Sequence, residues 1–153
     1  MTNNKEFSQA DRKKLILIDG NALIHRAYHA LPPLITKKGE LVNAVYGFSS
    51  VLFKVIKELK PDYILATFDL KGPTFRHKEY KEYKATRVKA PDELYAQIGR
   101  VKEMVRAMNI PIYEKEGFEA DDVIGTMIKQ SEENLEHPRV ENIIVTGDLD
   151  TLQ

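Results

Sequence analysis

The sequence predicts an α/β fold, a mostly parallel sheet with flanking helices, and three observations predict it. Short, largely apolar runs recur at Leu15 to Ile18, Ile64 to Phe68 and Ile143 to Val145. Each run ends on an acidic or turn-forming residue: Asp19-Gly20, Asp69, and Thr146-Gly147-Asp148. Between the runs lie longer segments whose apolar residues return at helical spacing. Strands alternating with helices build a parallel sheet, and such sheets bind ligands beyond the carboxyl ends of their strands.

Taken in order, Leu15-Ile16-Leu17-Ile18 is apolar on both alternating faces, as expected of a central strand covered by helices on both sides. Ala44, Phe48, Val51, Val55 and Leu59 form one helical stripe, which Pro61 stops. Ile64 to Phe68 is the second strand. Gly72-Pro73 marks a turn, and the polar length from Lys71 to Ala90 predicts a segment standing away from the body. Leu94, Ile98, Val101, Val105 and Met108 form a second stripe beginning after Pro91. Ile110-Pro111-Ile112-Tyr113 is a weaker strand whose proline places it at a sheet edge or at the strand start. A third helix is expected from about Glu119 to Glu132, with Ala120, Ile124, Met127 and Ile128 inward; Ile143 to Val145 is the last strand. Neither an internal repeat nor a low-complexity tract is present.

The 153 residues fit one domain, with Met1 to Arg12 as a frayed polar tail and the domain over 13–153. A composition of 42% hydrophobic and 30% charged residues is that of a soluble globular chain. No apolar run approaches the roughly 18 residues a membrane span needs. Cysteine is absent, which excludes disulfides and thiolate zinc sites; a cytoplasmic setting and no membrane partner are the default expectation.

Net charge is zero but unevenly spread. From Lys71 to Lys89, seven basic residues (Lys71, Arg76, Lys78, Lys81, Lys84, Arg87, Lys89) face only Glu79 and Glu82, an excess of five positive charges. From Glu114 onward, eleven acids face Lys115, Lys129 and Arg139, an excess of eight negative charges. Within the basic segment Arg76, Tyr80, Tyr83, Lys84 and Arg87 share a face if the segment is helical. Cations interleaved with aromatic rings suit phosphates and bases.

Seven carboxylates follow strands or open a helix: Asp19, Asp69, Glu119, Asp121, Asp122, Asp148 and Asp150. Acids are common in a first helical turn and after strands for stability alone. Their joint placement at ends the fold brings together is the stronger signal. Converging like charges repel unless cations neutralise them, and a site of oxygen ligands alone suits Mg²⁺ or Mn²⁺ acting on phosphate esters.

Several motifs, in unbroken order from about Lys14 to Gln153, carry a resemblance: Asp19-Gly20-Asn21 with Arg26 to Leu31, Ala44 to Phe48, Phe68-Asp69, Phe75-Arg76, Tyr83-Lys84 to Arg87, Gly117 to Asp122, and Thr146 to Gln153. Together they closely resemble the 5′-to-3′ exonuclease domain of bacterial DNA polymerase I, in the flap endonuclease family. The resemblance implies a PIN-like core, two divalent metal ions (Mg²⁺ or Mn²⁺), and a helical arch, about residues 71–90, through which a 5′ single strand passes. By that match the seven acids are metal ligands, directly or through water. Arg26, Arg76, Tyr83, Lys84 and Arg87 contact DNA carrying a 5′ end or flap. Lys84, nearest the scissile phosphate, and Arg87 take catalytic roles.

Two positions depart from the pattern: Leu149 stands where the family is usually basic, and Val88-Lys89 replaces a usual proline. Neither removes a ligand. The family continues into a further aspartate pair and a helix-hairpin-helix beyond Gln153, so the chain is expected to be a piece of a DNA polymerase I-like protein with roles in replication and repair, or a truncated product. Alternative readings are an inactive DNA-binding fragment and a ribonuclease of the PIN class. A receiver-like phosphoacceptor shares the acids but has no use for the basic segment.

Overall fold

A computed structural model describes residues 12–80, 82–83, 90–133 and 140–147; residues 1–11 of the tail, Lys84, Arg87, Asp148 and Asp150 lie outside the described residues. The elements are β1 (Lys14–Asp19), α1 (Gly20–Ala30), α2 (Asn43–Leu59), β2 (Tyr63–Thr67), α3 (Phe75–Glu79), α4 (Asp92–Ala107), β3 (Ile112–Tyr113), α5 (Ala120–Glu133) and β4 (Glu141–Val145). The four strands pair in parallel in the order β3-β2-β1-β4. β1 is therefore central, and β3, just after Pro111, takes the edge that its proline predicts.

Both faces of β1 are covered, which is why its sequence does not alternate. Ile16 and Ile18 join a core with Leu23 and Ile24 of α1, Ala44, Phe48 and Leu52 of α2, and Leu94, Val101 and Val105 of α4. Leu17 turns the other way, against Leu65 and Ile124 of α5. The layers are thus α1, α2 and α4 on one face of the sheet and α5 on the other.

Three elements differ from the sequence reading. Helix α1 was not expected, although Leu23, Ile24 and Ala27 face inward at helical spacing. On α2 the buried line runs through Ala44, Phe48 and Leu52; Val51 is 37% exposed whereas Leu52 is 1% exposed, because the inner face is centred one residue further along. The helix of the basic segment is short. It ends where Tyr80 turns extended (φ −126°, ψ 101°), so Arg76, Tyr80 and Tyr83 do not share one continuous helical face.

Packing between α1 and α2 depends on Gly47, where a Cβ would fall 2.6 Å from that of Ala27. Helix α2 opens at Val42 without a side-chain cap, and its cap comes from another helix. The Gln97 side chain of α4, 2% exposed, accepts the N–H groups of Ala44 and Val45 at 2.8 and 3.2 Å and donates to Asn43 Oδ1 at 3.1 Å. Replacing it with leucine leaves two helix N–H groups buried and unpaired. Gln97→Leu is expected to cost about 1 to 3 kcal/mol in urea unfolding, despite the more apolar side chain; a stability equal to wild type would contradict this cap.

Candidate active site

The parallel register sets the site. Asp19 pairs with Thr67 of β2, and Ile18 with Val145 of β4. Asp69 therefore emerges two residues beyond the end of β2, and Thr146 one beyond β4, on either side of Asp19. The glycine that follows Thr146 is obligatory for this closeness. A Cβ on Gly147 would fall 2.8 Å from the Ala22 carbonyl oxygen and 3.2 Å from the Arg26 Cβ, so the exit of β4 runs against the first turns of α1.

Asp19 ends β1 and caps α1: its Oδ1 accepts the Ala22 N–H at 3.0 Å, and its Oδ2 accepts the Thr146 hydroxyl at 3.0 Å. It is 4% exposed. Burial pushes its carboxyl above the ordinary aspartate range, the donors on Ala22 and Thr146 offset part of this, and the charges of Asp121 and Asp69 add to it. Those two acids are thus close enough to act on Asp19 through space.

Asp69 is held by two donors, Asn21 Nδ2 on its Oδ2 at 2.9 Å and the Ala120 N–H on its Oδ1 at 2.7 Å. The second is a bond to the first turn of α5, whose free N–H groups favour a carboxylate. One acid beyond β2 thereby fixes where α5 begins. On that helix Asp121 is exposed, while Glu119, just before it, and Asp122 are half-buried.

Arg76 of α3 reaches across to this helix. Its Nη1 and Nη2 donate to Asp122 Oδ2 and Oδ1 at 2.7 and 2.6 Å, and Nη1 lies 3.9 Å from Glu119 Oε2. Hydrogen bonding to Asp122 raises the guanidinium pKa further above its already high value. The Tyr83 hydroxyl donates to Glu119 Oε2 at 3.1 Å. Arg26 is exposed on α1 beside Gly147.

Asp19, Asp69, Glu119, Asp121 and Asp122 therefore gather at the carboxyl end of the sheet, with Arg76 and Tyr83 upon them. Among the described residues, no three carboxylates or histidines come close enough together to hold a metal ion by themselves. One of these acids, Asp122, is engaged by Arg76 instead. The donors present still fit a hard divalent cation: they are oxygens only, and Asn21 Oδ1, next to Asp69, is buried without a hydrogen-bond partner among the described residues.

Thr146, Asn21 and the Arg76–Asp122 pair were not read from the sequence as parts of the acid site. For the first two a signal existed, since each directly adjoins a strand-end turn bearing an acid. The third joins residues 46 apart and has no local signal.

Comparison with known proteins bears on the family and on the fold. DNA polymerase I of Caldicellulosiruptor bescii is 46% identical over 140 residues, covering 92% of this chain and 16% of that protein. DNA polymerase I of Chloroflexus aurantiacus is 48% identical over 141 residues, covering 91% and 14%, and that of Bacillus subtilis 45% over 143 residues, covering 94% and 16%. The chain thus spans about one-seventh to one-sixth of the length of these relatives. Among solved structures, the bacteriophage T5 D15 protein co-crystallized with metal ions superimposes with a TM-score of 0.65 at 18% identity, over 91% of this chain and 50% of that one. The T5 D15 flap endonuclease in a complex with DNA and metal ions gives 0.62 at 16% identity, over 91% and 50%. These two show the fold alone, a mostly parallel PIN-like sheet with flanking helices. The family described as 5′-3′ exonuclease, N-terminal resolvase-like domain matches residues 14–153, and with the polymerase relatives it settles the point: the chain belongs to the 5′-3′ exonuclease family, as the domain that DNA polymerase I carries.

Proposed function

We propose that this domain hydrolyses DNA phosphodiesters at 5′ ends and 5′ flaps with divalent metal, Mg²⁺ or Mn²⁺, as part of a cytoplasmic DNA polymerase I-like protein serving replication and repair. The observation that carries the reading is the placement of Asp19, Asp69 and Asp121 at neighbouring strand and helix ends, with the root of a basic, aromatic segment resting on the same helix. The polymerase relatives and the metal and DNA found with the T5 proteins support it.

In this reading Asp19, Asp69, Glu119 and Asp121, with Asp148 and Asp150, hold two metal ions. Bound metal supplies an activated water and neutralises charge on the phosphate. The protein's own groups do the rest. Thr146 and Asn21 fix one oxygen each of Asp19 and Asp69, so that the remaining lone pairs are aimed before metal arrives. Tyr83 offers a ring to a base of the single strand. Arg26 meets the backbone, and Lys84 with Arg87 offsets charge that develops on the phosphate in the transition state.

The test is a labelled 5′-flap duplex incubated with the chain, with and without Mg²⁺, beside an RNA of the same sequence. Metal-dependent cutting of the flap is expected. Cutting of RNA alone would give the site to a PIN-class ribonuclease, and binding without cutting to a DNA-binding fragment. Where cutting occurs, Lys84→Ala should lower the single-turnover rate at saturation more than it weakens binding; an unchanged rate with lost affinity would make Lys84 a backbone anchor only.

A further inference from the structure

Asp122 differs from the other acids in that its charge is already matched. Arg76 donates to both of its oxygens at 2.6 and 2.7 Å, and the Glu119 N–H adds a further donor to Oδ2 at 2.9 Å. A guanidinium fork on a carboxylate is among the strongest and most directional pairs that side chains form. Both partners are half-buried, so solvent screens the pair less than a surface one. The same two stretches are fastened twice more. Phe75 donates its N–H to the Gly117 carbonyl at 2.8 Å, and its ring lies 5.5 Å from that of Phe118 and 4.6 Å from the Arg76 guanidinium.

Neighbouring positions on a helix point about 100° apart, so Asp121 and Asp122 serve different directions. Asp121 acts on Asp19 together with Asp69, while Asp122 faces α3.

We propose that Asp122 is the anchor of the basic segment rather than a metal ligand, and that Arg76 is a positioning residue: a resident cation whose bidentate pair with Asp122 fixes α3, at the root of that segment, over the remaining acids. The inference rests on the metal-dependent nuclease reading for its consequence, but the anchor itself does not. A metal claiming Asp122 must displace Arg76 from both oxygens and leave a half-buried guanidinium with only its longer contact to Glu119, beside another cation, which is costly. Arg76 is likewise committed to the protein before any phosphate arrives.

The test is a double-mutant cycle of Arg76→Gln and Asp122→Asn in the full chain, with two readouts. The first is Mn²⁺ affinity by calorimetry. Arg76→Gln removes a positive charge near the acids and is expected to tighten binding by roughly three- to tenfold, Asp122→Asn to weaken it by a similar factor, and the double variant to return close to wild type. A ligand role for Asp122 predicts instead that the double variant stays as weak as Asp122→Asn, and that result would overturn the proposal. The second readout is chymotryptic cleavage after Tyr80 or Tyr83, sites that no variant alters. Each single variant should speed it by about tenfold, and the double no further, since both remove one interaction. Unchanged or independently additive rates would also overturn the anchor, with circular dichroism confirming that each variant is folded. Should wild type bind no Mn²⁺, the metal reading fails, and the cleavage cycle alone decides for or against the anchor.

Discussion

Asp19→Asn should make the metal-free protein more resistant to heat at pH 7 while lowering flap cleavage by about 100-fold or more, beyond the usual cost of losing an outer partner of a metal site. The two effects have one cause. Burial, with Asp121 and Asp69 alongside, raises the Asp19 carboxyl above its ordinary value of 3.8, so the native state holds this proton more tightly than the unfolded chain does. For a carboxylate raised in this way, stability is lost as pH climbs from the unfolded value through the native one, and the full penalty applies above both. Asparagine carries no such penalty and still caps α1, since asparagine and aspartate are comparable caps. The gain over wild type should therefore be largest near neutrality and vanish by about pH 3, below the unfolded value. A melting temperature lower than wild type at pH 7 would refute the electrostatic account. Unchanged cleavage would refute the assignment of Asp19 as a ligand.

The second large effect is expected at Phe68, which touches no substrate in any reading. Its ring is 1% exposed and fills the space beside Gly20, where a Cβ would fall only 2.3 Å from it. The Lys102 ammonium lies 5.1 Å from the ring, and the Phe68 N–H donates to the Tyr113 carbonyl at 3.2 Å. Phe68→Ala opens a cavity and should cost about 3 to 5 kcal/mol in urea unfolding, with Phe68→Leu costing less. Because Phe68 directly precedes Asp69 and packs on the residue after Asp19, the alanine variant should also weaken Mn²⁺ binding. A cost under about 1 kcal/mol would mean that neighbouring side chains refill the site, contrary to the close packing described.

How much of this was legible in the sequence follows from how local each interaction is. Strand β1 was plain because burial on both faces writes a continuous apolar run. The acids were legible as candidates because a strand end or helix start marks each one. Helix α1 was missed because only Leu23 and Ile24 among its apolar residues are large aliphatics, and its opening, Asp19-Gly20-Asn21, reads equally well as a turn. Gln97 carries no local signal of its role; it is buried because α2 begins opposite it with no cap of its own. The spacing puts the basic segment's cations and rings on one face only if the segment is helical; backbone geometry at Tyr80 ends the helix first, and Arg76 turns to Asp122. Pairings such as Arg76 with Asp122 depend on which loops meet in space, and no periodicity encodes that.

The central place of β1 has a consequence for the order in which the molecule becomes itself. Its partner on one side, β2, follows within 50 residues, but its partner on the other side is β4, and the Thr146 hydroxyl bound to Asp19 lies 127 residues away. During synthesis β1, α1 and β2 emerge long before that hydroxyl exists, and contacts so distant in sequence form late and slowly. A nascent chain can thus bury Ile16 and Ile18 early while one edge of β1 remains open and Asp19 lacks its second donor. The aiming of Asp19, the most buried acid among the described residues, is deferred until the chain has been made as far as Thr146.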